Sequence, residues 1–452
     1  MKGELRYISR HAVTVLAGQL AVMAFGTTDT IVASRYSEEA VAALSVGSAI
    51  FVSVYASLMG IFQALLPLWS EQRGAGQAQA IGHSLRQSMY LCLLACLLGM
   101  SVLLMPDALL RWTHVPEAMQ LEVKRYLGVL AWGLPPALLF RIYSALNQAL
   151  GHPKLVTWLQ LSSLLIKIPL SVWFTFGGLG LSPMGAVGCA LATLTVNYTM
   201  FGVGLWLIRT QNFYAPLALW TRMEPPDIRM LTHFCRLGIP AGLAILVEVT
   251  SFTLMALYVA RQGSLSSASH QIAANLAAIG YMFPLSLAIA ASARVSYWRG
   301  AGDEAQARQL IQQCFKLSAL MGTSVAATLF IARSLIADIY TDSPQVQALT
   351  SWLLICVTAY HMADSVQTYC IFVLRSYRVT VAPLLIYCVL LWGCGLGLGY
   401  WMAYEWLAPA SWQSWQATPM PFWACSTAAL FLTAAAFSAI LFRVIRPAPA
   451  QA

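Results

Sequence analysis

Long uninterrupted runs of apolar residues alternate with short polar connections from one end of this chain to the other, at about 11–33, 42–69, 85–106, 126–150, 155–176, 184–208, 232–260, 267–292, 309–333, 348–374, 379–404 and 420–444. Each is roughly 20 to 28 residues long, enough for an α-helix rising 1.5 Å per residue to cross the hydrocarbon core of a bilayer. A membrane-crossing β-strand needs only about ten residues and alternates polar with apolar positions. These runs are continuous and rich in Leu, Ala and Met, so the pattern predicts an all-α integral membrane chain of about twelve transmembrane helices.

The tetrapeptide Arg73-Gly74-Ala75-Gly76 follows the second run, and Arg299-Gly300-Ala301-Gly302 follows the eighth, 226 residues later in a 452-residue chain. Both copies occupy the same connection of a six-span unit, which predicts an internal duplication. Because six is even, the two halves begin on the same side, and a pseudo-two-fold axis along the membrane normal should relate them. The longest polar connection contains Pro225 and Pro226 and predicts an N-lobe at 1–209, a cytoplasmic linker at 210–231 and a C-lobe at 232–452. Two parallel bundles suit alternating access, since each lobe can rock against the other around a central site.

Composition narrows the class. With 59% hydrophobic and only 10% charged residues, the chain has too little polar surface to cover a water-soluble globule of its length. The net charge of +9 is scattered over the connections instead of gathered in a stripe, which argues against nucleic acid as a partner. The basic residues report topology: with the N-terminus cytoplasmic, that side collects about 17 of them and the other about six, so both termini are expected in the cytoplasm. Arg6 and Arg10 ahead of the first run, Asp29 within it and the lack of a small-residue cleavage site predict a retained span. The ten Cys lie almost entirely inside apolar runs with no CxxC pair, and read as packing residues, with neither disulfides nor a metal site. No phosphate-binding Gly-rich loop and no catalytic constellation of Ser, His and Asp is present, so neither an ATP-driven pump nor an enzyme is expected, and no cofactor.

Of the 17 acidic residues, Asp29, Glu248 and Asp364 alone lie well inside the predicted spans. An ionised group there costs about 2.5–3.5 kcal/mol on insertion scales, and such residues mark ion or proton paths. Glu248 lies about 18 Å along its helix from Arg236, and Asp364 about 16 Å from Arg375, so the two acids sit at one level. Facing one cavity, they would hold a proton between them, poised for exchange against a cation; the plainer reading is a protonated acid that bonds neighbouring helices. Tyr360 lies one turn from Asp364, and His361 and Gln367 continue the polar stretch. His361 either relays protons or is a buried neutral imidazole bonded to a carbonyl. Phe252, Asn275, Tyr281, Met282 and Phe283 are candidate lining residues of an adaptable apolar pocket, or else lipid-facing or core side chains. The first half instead combines Asp29 with two intramembrane cations, Arg141 and Lys167. The Cα levels of Lys167 and Asp29 differ by roughly 8 Å, which an extended Lys stem largely spans, so an ion pair acting as clamp or gate is expected.

These residues resemble the multidrug and toxic compound extrusion family, its NorM-like bacterial branch in particular. Gly26-Thr-Thr-Asp29-Thr-Ile-Val-Ala-Ser-Arg35 is similar to the family's signature in the first span, followed in family order by Ala42-Ala-Leu44, Pro67 and Gly74-Ala-Gly76. The likeness resumes with Gly238-Ile-Pro240, Glu248, His270-Gln271, Met282-Phe283-Pro284, Gly300-Ala-Gly302, Asp364 with Gln367, and Leu374-Arg375, and so covers nearly the whole chain. It implies a secondary antiporter in the bacterial inner membrane, a monomer that exports amphipathic organic cations against inward H⁺ or Na⁺. Glu248, Asp364 and Tyr360 would form its C-lobe cation and drug region, with Asp29 in the N-lobe. The chain departs from the family at Lys167 and Ser171, where a fixed ammonium would compete with a metal cation near Asp29, at Ser34 before Arg35, and at Phe372-Val-Leu-Arg-Ser376. The competing reading is a lipid-linked precursor flippase of the same wider superfamily, with Arg141 and Lys167 binding an anionic head group.

Overall fold

A computed structural model describes residues 2–107, 110, 117–178 and 180–446. Residues 447–452, assigned above to the cytoplasm, lie outside the described residues. Among those described, twelve helices are long and apolar enough to cross a membrane: α1 (Gly3–Tyr36), α2 (Glu38–Gly74), α3 (Ala78–Leu104), α4 (Met119–Ala149), α5 (Pro153–Phe176), α6 (Ala186–Thr210), α7 (Ile228–Ala260), α8 (Ser264–Gly300), α9 (Glu304–Tyr340), α10 (Pro344–Ser376), α11 (Val381–Tyr404) and α12 (Met420–Val444). The sole β feature described is an isolated bridge between Gly178 and Leu181.

Most of these helices outrun their apolar stretches. Hydropathy registers only the lipid-length part, whereas a helix continues through the interface until a capping group ends it. Ser37 Oγ accepts from the Ala40 amide at 3.0 Å to start α2, and Asp303 Oδ1 accepts from the Gln306 amide at 2.8 Å to start α9.

The duplicated tetrapeptide is a duplicated structure. Gly76 and Gly302 both take positive φ, 71° and 82°, the left-handed conformation that ends a helix without a Cβ clash. Each end closes the same way: Gln77 donates to the Gln72 carbonyl at 2.9 Å, and Asp303 to the Trp298 carbonyl at 3.0 Å. The arginines correspond too. Arg73 Nη1 donates to the Ala149 carbonyl at the end of α4, and Arg299 Nη1 to the Ser376 carbonyl at the end of α10. In each half a guanidinium satisfies a terminal carbonyl of the fourth helix, at its negative dipole end.

The helices form two compact units, residues 1–13 with 243–452, and residues 14–242, and the divisions fall inside α1 and α7. In the first unit, Glu4 takes a two-pronged bond from Arg294, at 2.5 and 2.6 Å, and the Tyr7 ring lies 5.0 Å from that guanidinium. In the second, the start of α7 presses on α2. A Cβ at Gly242 would come within 2.4 Å of the Ser57 carbonyl oxygen, and one at Gly238 within 2.9 Å of that of Ile61, so the two glycines one turn apart admit a close helix contact.

The connection ahead of α7 is strapped to α3. Arg86 grips the Glu224 carboxylate, with Nε 2.7 Å from Oε2. Gln87 brackets the proline pair, donating to the Pro225 carbonyl at 3.0 Å and accepting from the Asp227 amide at 2.9 Å. The Arg86 bond holds the Glu224 carboxyl down at about 2, against an ordinary 4.5. A lowered carboxyl stabilises the strap fully above its unfolded value and loses that contribution as pH falls through the folded one. A spin label at Thr221→Cys should therefore keep constant mobility from pH 7 to about 4.5 and gain it only below that, towards pH 2. Mobility that rises already between pH 7 and 5 would count against the strap.

Candidate functional site

The first unit gathers the C-half acids. Glu248, on α7, is half-buried, while Tyr360, His361, Asp364 and Gln367, on α10, are buried. Glu248 lies within electrostatic range of Asp364 and of the Arg375 guanidinium. The phenols of Tyr281 on α8, Tyr360 on α10 and Tyr387 on α11 are each within range of both carboxylates. Four helices thus converge on two acids, one guanidinium and three phenols, in surroundings of low dielectric where each charge acts strongly on the others.

A directed hydrogen-bond chain orients Asp364. The Tyr387 hydroxyl donates to Gln367 Oε1, so the Gln367 amide must turn its NH₂ the other way. That NH₂ donates to Asp364 Oδ1 at 2.9 Å, and Thr368 Oγ1 lies 3.4 Å from the same oxygen. Asp364 Oδ2 accepts no hydrogen bond among the described residues. It lies 3.9 Å from His361 Nδ1, too far for a hydrogen bond. One carboxylate oxygen is therefore fixed and the other left open. The His361 ring fits because residue 280 is glycine: a Cβ there would come within 2.3 Å of the imidazole. Tyr387 also immediately precedes a π-helical stretch of α11, Cys388–Gly397, a wider winding that recurs at functional sites.

An aromatic cluster borders the acids. Tyr360 meets Phe252 edge-on with ring centres 5.9 Å apart, and Trp423, on α12, lies 5.9 Å from Tyr360 and 6.3 Å from Phe252. Trp423 Nε1 donates to His270 Nδ1 at 3.2 Å. Met282 and Phe283 are half-buried on α8, one turn or less from Tyr281. Asn275 is exposed, and no hydrogen bond among the described residues joins it to the cluster.

The second unit holds the N-half group. Lys167, on α5, is fully buried, and its Nζ lies 2.7 Å from Asp29 Oδ1 and 2.9 Å from Oδ2. The ammonium also donates to Thr193 Oγ1 at 2.6 Å and to the Cys189 carbonyl at 3.1 Å, both on α6, so its three protons are all used. Ser171 Oγ, one turn along α5, donates to Asp29 Oδ1 at 3.0 Å. The ammonium thus balances the Asp29 carboxylate directly. Among the described residues, no group of three or more His, Cys, Asp and Glu is arranged to hold a metal. Arg141 is not part of this group. It is half-buried on α4, its electrostatic neighbour is the Tyr55 phenol on α2, and no hydrogen bond or ion pair among the described residues engages it.

Sequence reasoning did not single out Tyr387, Trp423, Thr193 or Thr368. Tyr387 and Trp423 lie among other aromatic residues in apolar runs, where no spacing distinguishes them. Thr193 is a small hydroxyl in a helix, ordinarily satisfied by its own backbone. Thr368 carried a signal, lying one turn after Asp364.

Comparison with known proteins places the chain in a family. A model of the MatE family matches the chain twice, over residues 15–173 and 240–401, one match in each half. A probable multidrug resistance protein NorM of Aromatoleum aromaticum is 35% identical over 436 residues, covering 96% of this chain and 93% of that one. The multidrug resistance protein MdtK of Yersinia pseudotuberculosis is 30% identical over 398 residues, covering 88% and 87%. Among solved structures, the eukaryotic MATE transporter AtDTX14 superposes with a TM-score of 0.84 at 18% identity, covering 97% of this chain and 95% of that one. The Vibrio cholerae MATE transporter VcmN in its bent form superposes with a TM-score of 0.82 at 16% identity, covering 98% of each chain. With one family pattern spanning both halves and the same fold in the solved transporters, the chain belongs to the MatE family and is a multi-pass membrane transporter, not an enzyme.

Proposed function

We propose that this chain is a secondary active multidrug exporter of the bacterial inner membrane, a monomer with both termini cytoplasmic, exchanging amphipathic organic cations for an inward-moving ion by alternating access. The observation that carries this reading is the pair Glu248 and Asp364, one half-buried and one buried with a single open carboxylate oxygen, beside the Phe252, Tyr360 and Trp423 rings. Acids neutralise a bound cation, and aromatic faces attract organic ammonium groups. The names of the NorM and MdtK relatives point the same way.

Of the two candidate coupling ions, H⁺ and Na⁺, the geometry favours H⁺. The Lys167 ammonium already fills the cation position at Asp29, and Asp364 Oδ1 is occupied by two donors. The flippase alternative loses one of its two anion-binding cations, because Lys167 is committed to Asp29.

Ethidium efflux from proteoliposomes under separately imposed pH and Na⁺ gradients tests this reading. Efflux should follow the pH gradient and fall at least tenfold in Glu248→Gln, a loss of about 1.4 kcal/mol or more in transition-state terms. Efflux driven equally well in Glu248→Gln would remove the acid pair from the function, and efflux that responds to Na⁺ alone would reverse the choice of ion.

A further inference from the structure

The cation left unused by the N-half group is Arg141. It lies on α4, the most buried span of its unit, which packs against α2, α3, α5 and α6. A guanidinium inside a membrane ordinarily pairs with a carboxylate or with backbone carbonyls, because an unpaired buried charge is costly. The two intramembrane cations of this unit differ sharply in that respect. Lys167 has no exposed surface and meets a carboxylate, a hydroxyl and a carbonyl. Arg141 meets no acid: Tyr55 is its electrostatic neighbour, and none of its donors is engaged by a described residue.

The surroundings suit a ligand better than a packed core. Arg141, Tyr55 and Phe51 are all half-buried, and Phe51 and Tyr55 stack in parallel on one face of α2, with ring centres 5.8 Å apart and 3° between their planes. A flat aromatic pair, of which the Tyr55 ring neighbours a fork of unengaged donors, matches an amphiphile that carries both an aromatic body and an oxyanion. Guanidinium binds carboxylate and phosphate oxygens with two parallel bonds, which an ammonium cannot reproduce.

We propose that Arg141 is an oxyanion subsite of this transporter, with Phe51 and Tyr55 beside it, which takes the acidic group of zwitterionic aromatic amphiphiles. The subsite assigns a specificity-determining residue and rests on the reading of the chain as a carrier of organic amphiphiles. The oxyanion has two sources, a carboxylate on the transported molecule or the phosphate of a lipid head group, and the test separates them.

The test is equilibrium binding by fluorescence anisotropy to the full chain in phosphatidylcholine nanodiscs, using tetramethylrhodamine, which bears a free carboxylate, and its methyl ester, which does not. No ion gradient is present, so a failure of the proposed ion coupling leaves the result readable. Arg141→Gln should weaken tetramethylrhodamine binding about tenfold or more and leave the ester within about twofold. Arg141→Lys keeps the charge and loses the fork, so it should weaken the zwitterion by a smaller factor, about threefold, and provides the readout if the Gln variant unfolds.

If a head group is the occupant, replacing phosphatidylcholine by phosphatidylglycerol weakens zwitterion binding in the parent protein but not in Arg141→Gln, which supports the subsite and assigns its source. Equal losses for both dyes irrespective of lipid, or no change for either, would overturn it. Binding of the ester alone by the parent would overturn the subsite while sparing the reading of the chain as a cation carrier, and binding of neither dye would overturn both.

Discussion

Lys167→Met should destabilise the second unit by about 3–5 kcal/mol, the usual consequence of leaving one charge of a buried ion pair without its partner. The pair is well placed for so large an effect: Lys167 is 0% exposed and Asp29 7%, so neither can recruit solvent in compensation. Ser171 would still donate to Asp29 Oδ1 at 3.0 Å, and Thr193 Oγ1 lies 3.4 Å from Oδ2, but these hydroxyls do not replace an ammonium 2.7 Å away. For a unit of this size the loss corresponds to a fall in melting temperature of roughly 6–20 °C. The double variant Asp29→Asn with Lys167→Met removes both charges and should recover at least half of it, since a buried pair replaced as a whole is often nearly neutral.

Thermal unfolding in detergent measures both quantities, and single and double variants that melt together would sink the clamp. Transport reports separately. If Asp29 serves only to hold the helices, the double variant regains efflux along with stability. If Asp29 also lies on the cation path, stability returns without efflux.

Asp364→Asn should abolish exchange, lowering efflux about 100-fold or more, because the amide removes the negative charge on which the buried site depends. Three variants that keep the carboxylate separate its charge from its orientation. Tyr387→Phe leaves Gln367 Oε1 without the hydroxyl donor, so the amide can turn and present oxygen to Asp364 instead of NH₂. A lost buried hydrogen bond of this kind is worth about 1–1.5 kcal/mol, or a fall in efflux of roughly tenfold. Gln367→Leu removes the donor outright and should do at least as much, whereas Thr368→Val, which loses a contact of 3.4 Å, should do less. The ordering Asp364→Asn, then Gln367→Leu and Tyr387→Phe, then Thr368→Val is the discriminating result. Wild-type efflux in Tyr387→Phe would show that the chain from α11 to Asp364 has no part in transport.

Hydropathy and residue type alone determined the number of spans, the helical class, the duplicated tetrapeptide and the acids at membrane depth. Those features are written in one dimension: a bilayer sorts residues by polarity along the chain, and an ionisable group that survives in an apolar run stands out without any knowledge of its neighbours. The proximity of Lys167 and Asp29 was also legible, because rise per residue converts sequence distance into depth. What depth cannot supply is azimuth, the direction in which a side chain leaves its helix relative to the helices around it. That direction decided that Thr193 and Cys189 of α6 complete the Lys167 shell, that Tyr387 of α11 orients Gln367, and that Trp423 of α12 stands against Tyr360. It also separated the two N-half cations, satisfying Lys167 completely and leaving Arg141 beside a stacked aromatic pair. The physical reason is that a hydrogen bond depends on positions within a few tenths of an ångström in three dimensions, and helix packing alone sets those positions.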